Sequence, residues 1–284
     1  MPPEVKGPDG ATVRAAERHL RARLEGEVDF SAAARALYAT DASNYRQVPV
    51  GVVFPRSTDD VIETVRTCDE HGIPILPRGG GTSLAGQCCK VAVVIDMSRH
   101  LRSVRHIDAV NRVARVQPGL VLDDLQHAAA PHGLMYGPDP ATHAWCTLGG
   151  MIGNNSCGVH SIAGGLTADA VESLDVLTAD GLRLTVGRTP DAALDALCRE
   201  SGRRGDIYRR LRALRDRYRD EIQARFPRIP RRVSGYELDA LLPEYGFDVA
   251  RRIRQTKRSD ELPIVMVTSL EARQGRLRAY EAGI

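Results

Sequence analysis

Residues 75–86 read ILPRGGGTSLAG, a short apolar run that delivers the chain into three consecutive glycines and then two hydroxyl side chains, Thr82 and Ser83. Ordering three glycines costs more backbone entropy than ordering any other tripeptide. A folded chain keeps them where the backbone needs positive φ or where a neighbour must approach closely. Without Cβ atoms, successive N–H groups can converge into a concave nest for an anion, and the two hydroxyls add donors beside it. The spacing excludes two common phosphate loops. A dinucleotide fingerprint wants glycine three residues after its second one, where Leu84 stands, and no Lys-Ser/Thr follows Gly86 as a P-loop requires. The remaining alternative is a plain surface loop.

The flanking pattern places this loop on a sheet. GVVFP from Gly51 reads as a strand, STDDVIETVRTCDEHG as a helix with Ser57 as N-cap and Gly72 as stop, and IPILP as a second strand. A strand-helix-strand unit of this kind predicts a parallel pair. The glycines would lie beyond the carboxyl end of its second strand, where open α/β sheets bind ligands. VAVVIDMS (91–98) predicts a third strand, and residues 11–25 an amphipathic helix with Val13, Ala16, Leu20 and Leu24 on one side. Further on, NRVARVQPG alternates as a strand, and LVLDDLQHAAAPHG reads as a helix closed by Gly133. VESLDVLTADGLRLTVG gives two strands around Ala179-Asp180-Gly181, a hairpin signal. The expected organisation is an N-terminal helical segment (1–29), a small α/β unit (30–108), a larger, mostly antiparallel unit (109–235) and a tail (236–284).

Composition narrows the function classes. The chain has 284 residues and a formal net charge of +3, with no secretory pattern at its start and no apolar run of bilayer length, so a soluble, cytoplasmic protein without a transmembrane segment is expected. Its six cysteines form no C-x-x-C pair, which predicts reduced thiols. Residues 203–232 concentrate arginine, but Asp206, Asp216, Asp220 and Glu221 interleave it, while Ile207, Leu211, Leu214, Tyr218 and Ile222 keep helical spacing. That is a helix with a solvated face, and no nucleic-acid partner is expected. His132, His143 and His160 show no metal spacing and stay as candidate bases; no metal is expected.

A second glycine cluster, GPDPATHAWCTLGGMIGNNSCGVHSIAGG (137–165), adds the amide side chains Asn154 and Asn155, which donate and accept at a flat heteroaromatic edge. Two such clusters suggest a long ligand clasped between them. Taken in order, FP…PRGGGTSLAGQ, QPG, GPDPAT…TLGGMIGNNSCG and RIPRRVSGYELDALLPE resemble the FAD-binding domain of the vanillyl-alcohol oxidase and p-cresol methylhydroxylase superfamily, over residues 15–251. Within it they are most similar to the D-lactate dehydrogenase and glycolate oxidase group of FAD-linked oxidases. The resemblance implies an α+β fold of two FAD-binding subdomains, the small parallel one first and the mostly antiparallel one second. It implies that the amides of Arg78, Gly79, Gly80, Gly81, Thr82 and Ser83 hold the FAD pyrophosphate, with Pro77 and Gln87 also at the cofactor. Pro138, Asp139, Pro140 and Thr142, then Leu148, Gly149, Gly150, Gly153, Asn154, Asn155, Ser156 and Cys157, would line the isoalloxazine, with Gly158 beside them. Residues 168–173 would meet the adenosine half. Some branches attach flavin through a His after the paired glycines; here Gly81 and Thr82 stand in that place, which implies non-covalent FAD.

By the same resemblance the chemistry is oxidation of a small 2-hydroxy acid: a base takes the hydroxyl proton and hydride passes from the α-carbon to flavin N5, the electron acceptor being unknown. In the family the base and the carboxylate anchor come largely from a cap domain after the FAD domain. It is expected to be missing here, as is the clustered-Cys iron–sulfur module of longer relatives, so catalytic residues stay unknown. Residues 245–284 instead resemble the later part of a response-regulator receiver: LPIVMVTS as its fourth strand with Thr268 at the hydroxyl position, EARQGRLRAYEAG as the next helix, and Asp239 imitating a phosphoacceptor. As an orphan, that strand would expose an apolar edge. Two other readings stay open: a non-catalytic fusion with a degenerate phosphorelay fragment, and an enzyme of the same fold like UDP-N-acetylenolpyruvoylglucosamine reductase.

Overall fold

The computed structural model describes residues 7–229, 237–250 and 264–273. Helix α1 (Gly10–Arg23) starts where the Asp9 carboxylate accepts from the Ala11 and Thr12 amides, and buries Ala16 and Leu20. Helix α2 (Ala32–Leu37) is capped in the same way by Ser31. In α3 (Thr58–Glu70), the Ser57 hydroxyl accepts from the Asp60 amide, Asp59 and Asp60 favour the positive end of the helix, and Gly72 turns away at φ +62°.

Four short strands form the first sheet, in the order β1 (Glu27–Asp29), β2 (Gly51–Phe54), β4 (Val93–Asp96), β3 (Ile75–Arg78). β2 and β3 do not pair with each other as the sequence suggested. β4 lies between them, parallel to both, with Val94 opposite Val52 on one side and Leu76 on the other. The reason is apolar demand: every residue of β4 is buried, whereas β3 is only half-buried throughout and carries Pro77, which has no N–H for a second neighbour. β3 is therefore the edge. Helix α3 packs Val61 and Val65 on Ile95 and Met97, and that cluster reaches Leu177 of the second sheet.

The second sheet runs β5 (Val104–Asp108), β6 (Val113–Val116), β9 (Ile264–Arg273), β7 (Val171–Thr178), β8 (Arg183–Gly187), antiparallel at each pairing. β7 and β8 are the expected hairpin, turning through Gly181 at φ +80°. β1 begins before residue 30, and β5 joins the second sheet before residue 109; the passage between sheets falls between Asp96 and Val104. Helices α4 (Leu122–Ala129), α5 (Leu148–Asn154), α7 (Asp191–Arg199) and α8 (Arg203–Arg225) contribute Leu122, Leu125, Leu148, Met151, Ile152, Leu194, Ile207 and Tyr208 to its core; the one-turn α6 (Ser161–Gly164) follows α5. Helix α8 turns most of its arginines outward, several in ion pairs such as Arg212–Asp195 at 3.0 Å and Arg203–Asp180 at 2.8 Å, while Arg215 lies over the Phe247 ring. No helix among the described residues is long and apolar enough to cross a membrane.

The tail differs from the receiver expectation. Ile264–Arg273 is a central strand with partners on both sides, so it is no orphan edge, and both partners are antiparallel to it. Glu271 to Arg273 continue the strand where the receiver pattern expected a helix to begin. Asp239 sits in a 3-10 turn (Leu238–Leu241), away from any strand end where a phosphoacceptor would stand. The rest of the expected helix lies outside the described residues. The open ladders of β6 and β7 explain the outcome: each has one edge that needs hydrogen bonds, and a ten-residue segment that opens on Ile264, Val265, Val267 and Thr268 satisfies both.

Candidate functional site

The first glycine loop leaves the carboxyl end of β3 and is pressed against the second cluster. A Cβ on Gly79 would stand 2.0 Å from Thr147 Oγ1, and one on Gly80 would stand 2.0 Å from the Trp145 carbonyl oxygen. Neither position has room for a side chain. Gly81 takes φ +65° directly above the Arg78 guanidinium, and its carbonyl accepts from the Ala42 amide at 3.0 Å. Gln87 closes the loop, its side-chain oxygen accepting from the Ser83 hydroxyl and, at 3.2 Å, from the Ala85 amide. Among the described residues, the amides of Gly79, Gly80, Gly81, Thr82 and Leu84 donate to no acceptor, while the Ser83 amide turns to the Cys88 sulfur. Five amide donors without protein partners, four of them consecutive, beside the Thr82 hydroxyl make a site for an anion with many oxygens.

The second cluster is built by close backbone contacts. Gly137 meets Gly164, and a Cβ on Gly158 would fall 1.7 Å from the Asp139 carbonyl oxygen, so the 137–140 turn and the 156–165 segment touch at main-chain distance. Thr147 caps α5, Gly149 rests on Pro118 of QPG, and the Thr142 carbonyl holds the Trp145 and Cys146 amides at 2.8 Å each. Pro138 is buried, Asp139 and Pro140 half-buried, and Gly150, Gly153 and Asn154 exposed. Ser156 supports the cluster through its carbonyl, which accepts from the Thr167 amide and hydroxyl. Two residues expected at the isoalloxazine are placed elsewhere. Leu148 is a fully buried member of the second core, driven there by its apolar side chain. Asn155 is fully buried at φ +47°, its Nδ2 donating to Glu237 Oε1 at 3.1 Å and its Oδ1 accepting from the Ala168 amide at 2.9 Å. Both ends of that amide serve the protein.

Sequence reasoning missed several parts. Thr147 and Trp145, on which the first loop packs, were not singled out in the sequence. Tyr38 donates to Asp96 at 2.5 Å, and Asp41 accepts from Ser43 and from the Cys88 amide at 3.2 Å; no local pattern marks either. His143 and His160 each point Nδ1 at an aspartate, Asp123 at 2.7 Å and Asp139 at 3.1 Å. Two cavities, of about 540 and 760 Å³, are lined by other residues; the larger includes Ala168, Asp169, Val171, Glu172 and Ser173, where the adenosine half was expected.

Residues 49–187 match the sequence family described as an FAD binding domain. That match spans both glycine clusters. Residues 49–187 are an FAD-binding domain. The chain is 36% identical over 226 residues to D-2-hydroxyglutarate dehydrogenase of Pseudomonas putida, covering 78% of this chain and 22% of that protein. It is 38% identical over 155 residues to glycolate oxidase subunit GlcD of Bacillus subtilis, covering 54% of this chain and 33% of that one. It therefore spans a fifth to a third of the length of these relatives. Among solved structures, alkyldihydroxyacetonephosphate synthase aligns with a TM-score of 0.56 at 25% identity, over 64% of this chain and 36% of that one. 6-Hydroxy-D-nicotine oxidase from Arthrobacter nicotinovorans aligns at 0.52 and 26%, over 58% and 36%.

The FAD-binding domain fits its cofactor on the evidence of its own donors: a diphosphate offers the oxygens that five open amides lack. Charge around the loop is settled by burial. Burial pushes the Cys88 and Cys146 thiols up, so they stay neutral packing groups, and burial with the Asp96 hydrogen bond raises Tyr38, keeping it a donor. Burial also works to raise Asp41, but the hydrogen bonds from Ser43 and the Cys88 amide outweigh it and hold the carboxyl below its ordinary value. The sign follows: this contribution is full above the unfolded-state pKa and is lost as pH falls through the lower folded-state value. Flavin retention is expected to fall in acid below the ordinary carboxylate range, and Asp41→Asn to show weaker retention at neutral pH with a flatter acid limb. Fluorescence of released FAD across a pH series checks this; an acid limb identical in D41N would contradict it.

Proposed function

We propose that this chain is the flavin-holding module of an oxidoreductase that acts on small 2-hydroxy acids, with FAD bound non-covalently across the two glycine clusters. The observation that carries the reading is the set of five amides, Gly79 to Thr82 and Leu84, without acceptors at the carboxyl end of β3. The names of the relatives support the substrate class. In this reading the diphosphate lies on those amides with the Thr82 hydroxyl beside them, and the flavin ring extends toward Pro138–Thr142 and the exposed face of α5 at Gly150, Gly153 and Asn154. Thr82 in place of a histidine leaves no side chain for covalent attachment at the paired glycines.

Bound FAD supplies the two-electron acceptor for hydride from the substrate α-carbon. The protein must remove the hydroxyl proton. On this chain His160 and His143 are the groups suited to it, since an aspartate at Nδ1 orients each ring and leaves Nε2 to accept. No carboxylate anchor is assigned, and turnover by this chain alone is expected to be slow. The test is the visible spectrum of the purified chain before and after FAD addition and gel filtration, followed by anaerobic addition of D-2-hydroxyglutarate, glycolate or D-lactate. A retained, structured flavin band that one of these acids bleaches supports the reading. A chain that stays colourless overturns it, and a retained band that NADPH bleaches while the hydroxy acids do not overturns the substrate class.

A further inference from the structure

Arg78 was expected among the groups at the cofactor, yet its guanidinium is spent on the protein. Nη2 donates to the Thr40 carbonyl at 2.8 Å, and Nη1 donates to the Cys88 carbonyl at 3.1 Å and the Tyr38 carbonyl at 3.3 Å. Its carbon lies 5.1 Å from the centre of the Tyr38 ring, and that ring is itself fixed by the hydroxyl's bond to Asp96 at the end of β4. Gly81 rests on the other side, so close that a Cβ there would stand 2.6 Å from Nη2. One planar cation thus ties the 38–40 segment and residue 88, which flank the glycine loop, to the strand end from which the loop departs.

We propose that Arg78 is the positioning residue of the anion loop: a strut beneath it that holds the five open amides in their arrangement before any ligand arrives, without itself ligating the anion. The geometry uses what is particular to arginine. A flat fork can reach carbonyls on two flanks while lying against an aromatic face; a lysine ammonium is a point donor on a flexible stem and can do only one of these at a time. Donors held in place cost less to order on binding than donors that must be gathered. The identity of the anion as the FAD diphosphate rests on the proposed function above; the strut does not.

The experiment compares the full-length chain with Arg78→Lys and Arg78→Met by two readouts. The first, hydrogen exchange without flavin, asks whether the Ala42, Cys88 and Cys89 amides, whose acceptors are Gly81, Asp41 and Gly86, lose protection. About tenfold faster exchange is expected in both variants, a loss of roughly 1.4 kcal/mol of local stability, with Val94 and Ile95 of β4 unchanged. The second is FAD affinity: the dissociation constant is expected to rise about tenfold or more in both variants, while the shape of the bound-flavin spectrum, set by the second cluster, stays the same. A direct ligand predicts the opposite pattern, with wild-type exchange in both variants and Lys largely restoring affinity; that result overturns the proposal. If wild-type protein takes up no flavin, the functional reading fails and the exchange comparison still decides the strut. If both variants fail to fold, Tyr38→Leu, which removes the ring under an intact Arg78, is expected to speed exchange at the same three amides, and unchanged exchange there would overturn the proposal.

Discussion

Gly80→Ala is expected to raise the FAD dissociation constant about 100-fold and to abolish retention of flavin through gel filtration. The new methyl would sit 2.0 Å from the Trp145 carbonyl oxygen and 3.0 Å from its carbon, which are backbone atoms that no rotamer change can move aside. Overpacking of this kind costs about 1–3 kcal/mol, and the loop escapes it only by lifting away from the 145–147 segment. Lifting disperses the amides from Gly79 to Leu84. Near the upper end of that range the cost corresponds to about two powers of ten in affinity. The thermal midpoint should change little, because the loop strains outside both hydrophobic cores. A useful contrast is Gly153→Ala in the exposed turn of α5, where the new methyl meets nothing within 4 Å; stability there should hold or rise, since Gly costs a helix about 1 kcal/mol relative to Ala. Titration of flavin fluorescence checks the first variant, and a dissociation constant within threefold of wild type would show that the loop does not hold the cofactor.

Asn155→Ala is expected to be the most destabilising single change in the second cluster, at about 2–5 kcal/mol by denaturant unfolding. The site is fully buried, and the substitution takes the acceptor from the Ala168 amide and a donor from the Glu237 carboxylate. Alanine must also take φ +47°, a left-handed conformation that costs an ordinary residue about 1–2 kcal/mol and that asparagine tolerates. Asn155→Asp separates the causes. It keeps an acceptor for Ala168 but turns the donor toward Glu237 into a second carboxylate, so it should lose stability steeply as pH rises above the carboxylate range. A loss in N155D that does not depend on pH would remove the Glu237 contact from the account.

How much of this was legible depends on where the determining atoms lie. Strand β2, helix α3 and strand β4 could be read because Ser57, Gly72 and the valine runs carry their own signals within a dozen residues. The Asp180-Gly181 hairpin was legible for the same reason. The placement of β4 between β2 and β3 was not, since it follows from which strand has most apolar surface to bury and not from any local pattern. Helix α5 hides in a glycine-rich stretch that propensity disfavours; the Thr147 cap and the burial of Leu148, Met151 and Ile152 outweigh that cost. In the site, the glycines announced close approach, but not what approached. Gly79 and Gly80 are required by Thr147 and Trp145, Gly158 by Asp139, and only the last pair falls within twenty residues. Asn155 was read as a cofactor contact because an amide beside glycines fits a flat ring edge; its burial against Glu237, 82 residues away, is a tertiary fact. The strand at Ile264–Arg273 misled for a related reason, because the partners that pair with it are 86 residues or more upstream.

The most direct test is the amide spectrum of isotopically labelled protein, recorded residue by residue as FAD is added. If the diphosphate sits on the open donors, the largest shifts fall on the amides from Gly79 to Leu84, with smaller ones at Gly150, Gly153 and Asn154, and Ala168 stays put because its amide already donates to Asn155. Shifts confined to the cavity walls around Asp169, Arg188 and Tyr245, with the glycine loop silent, would contradict the account.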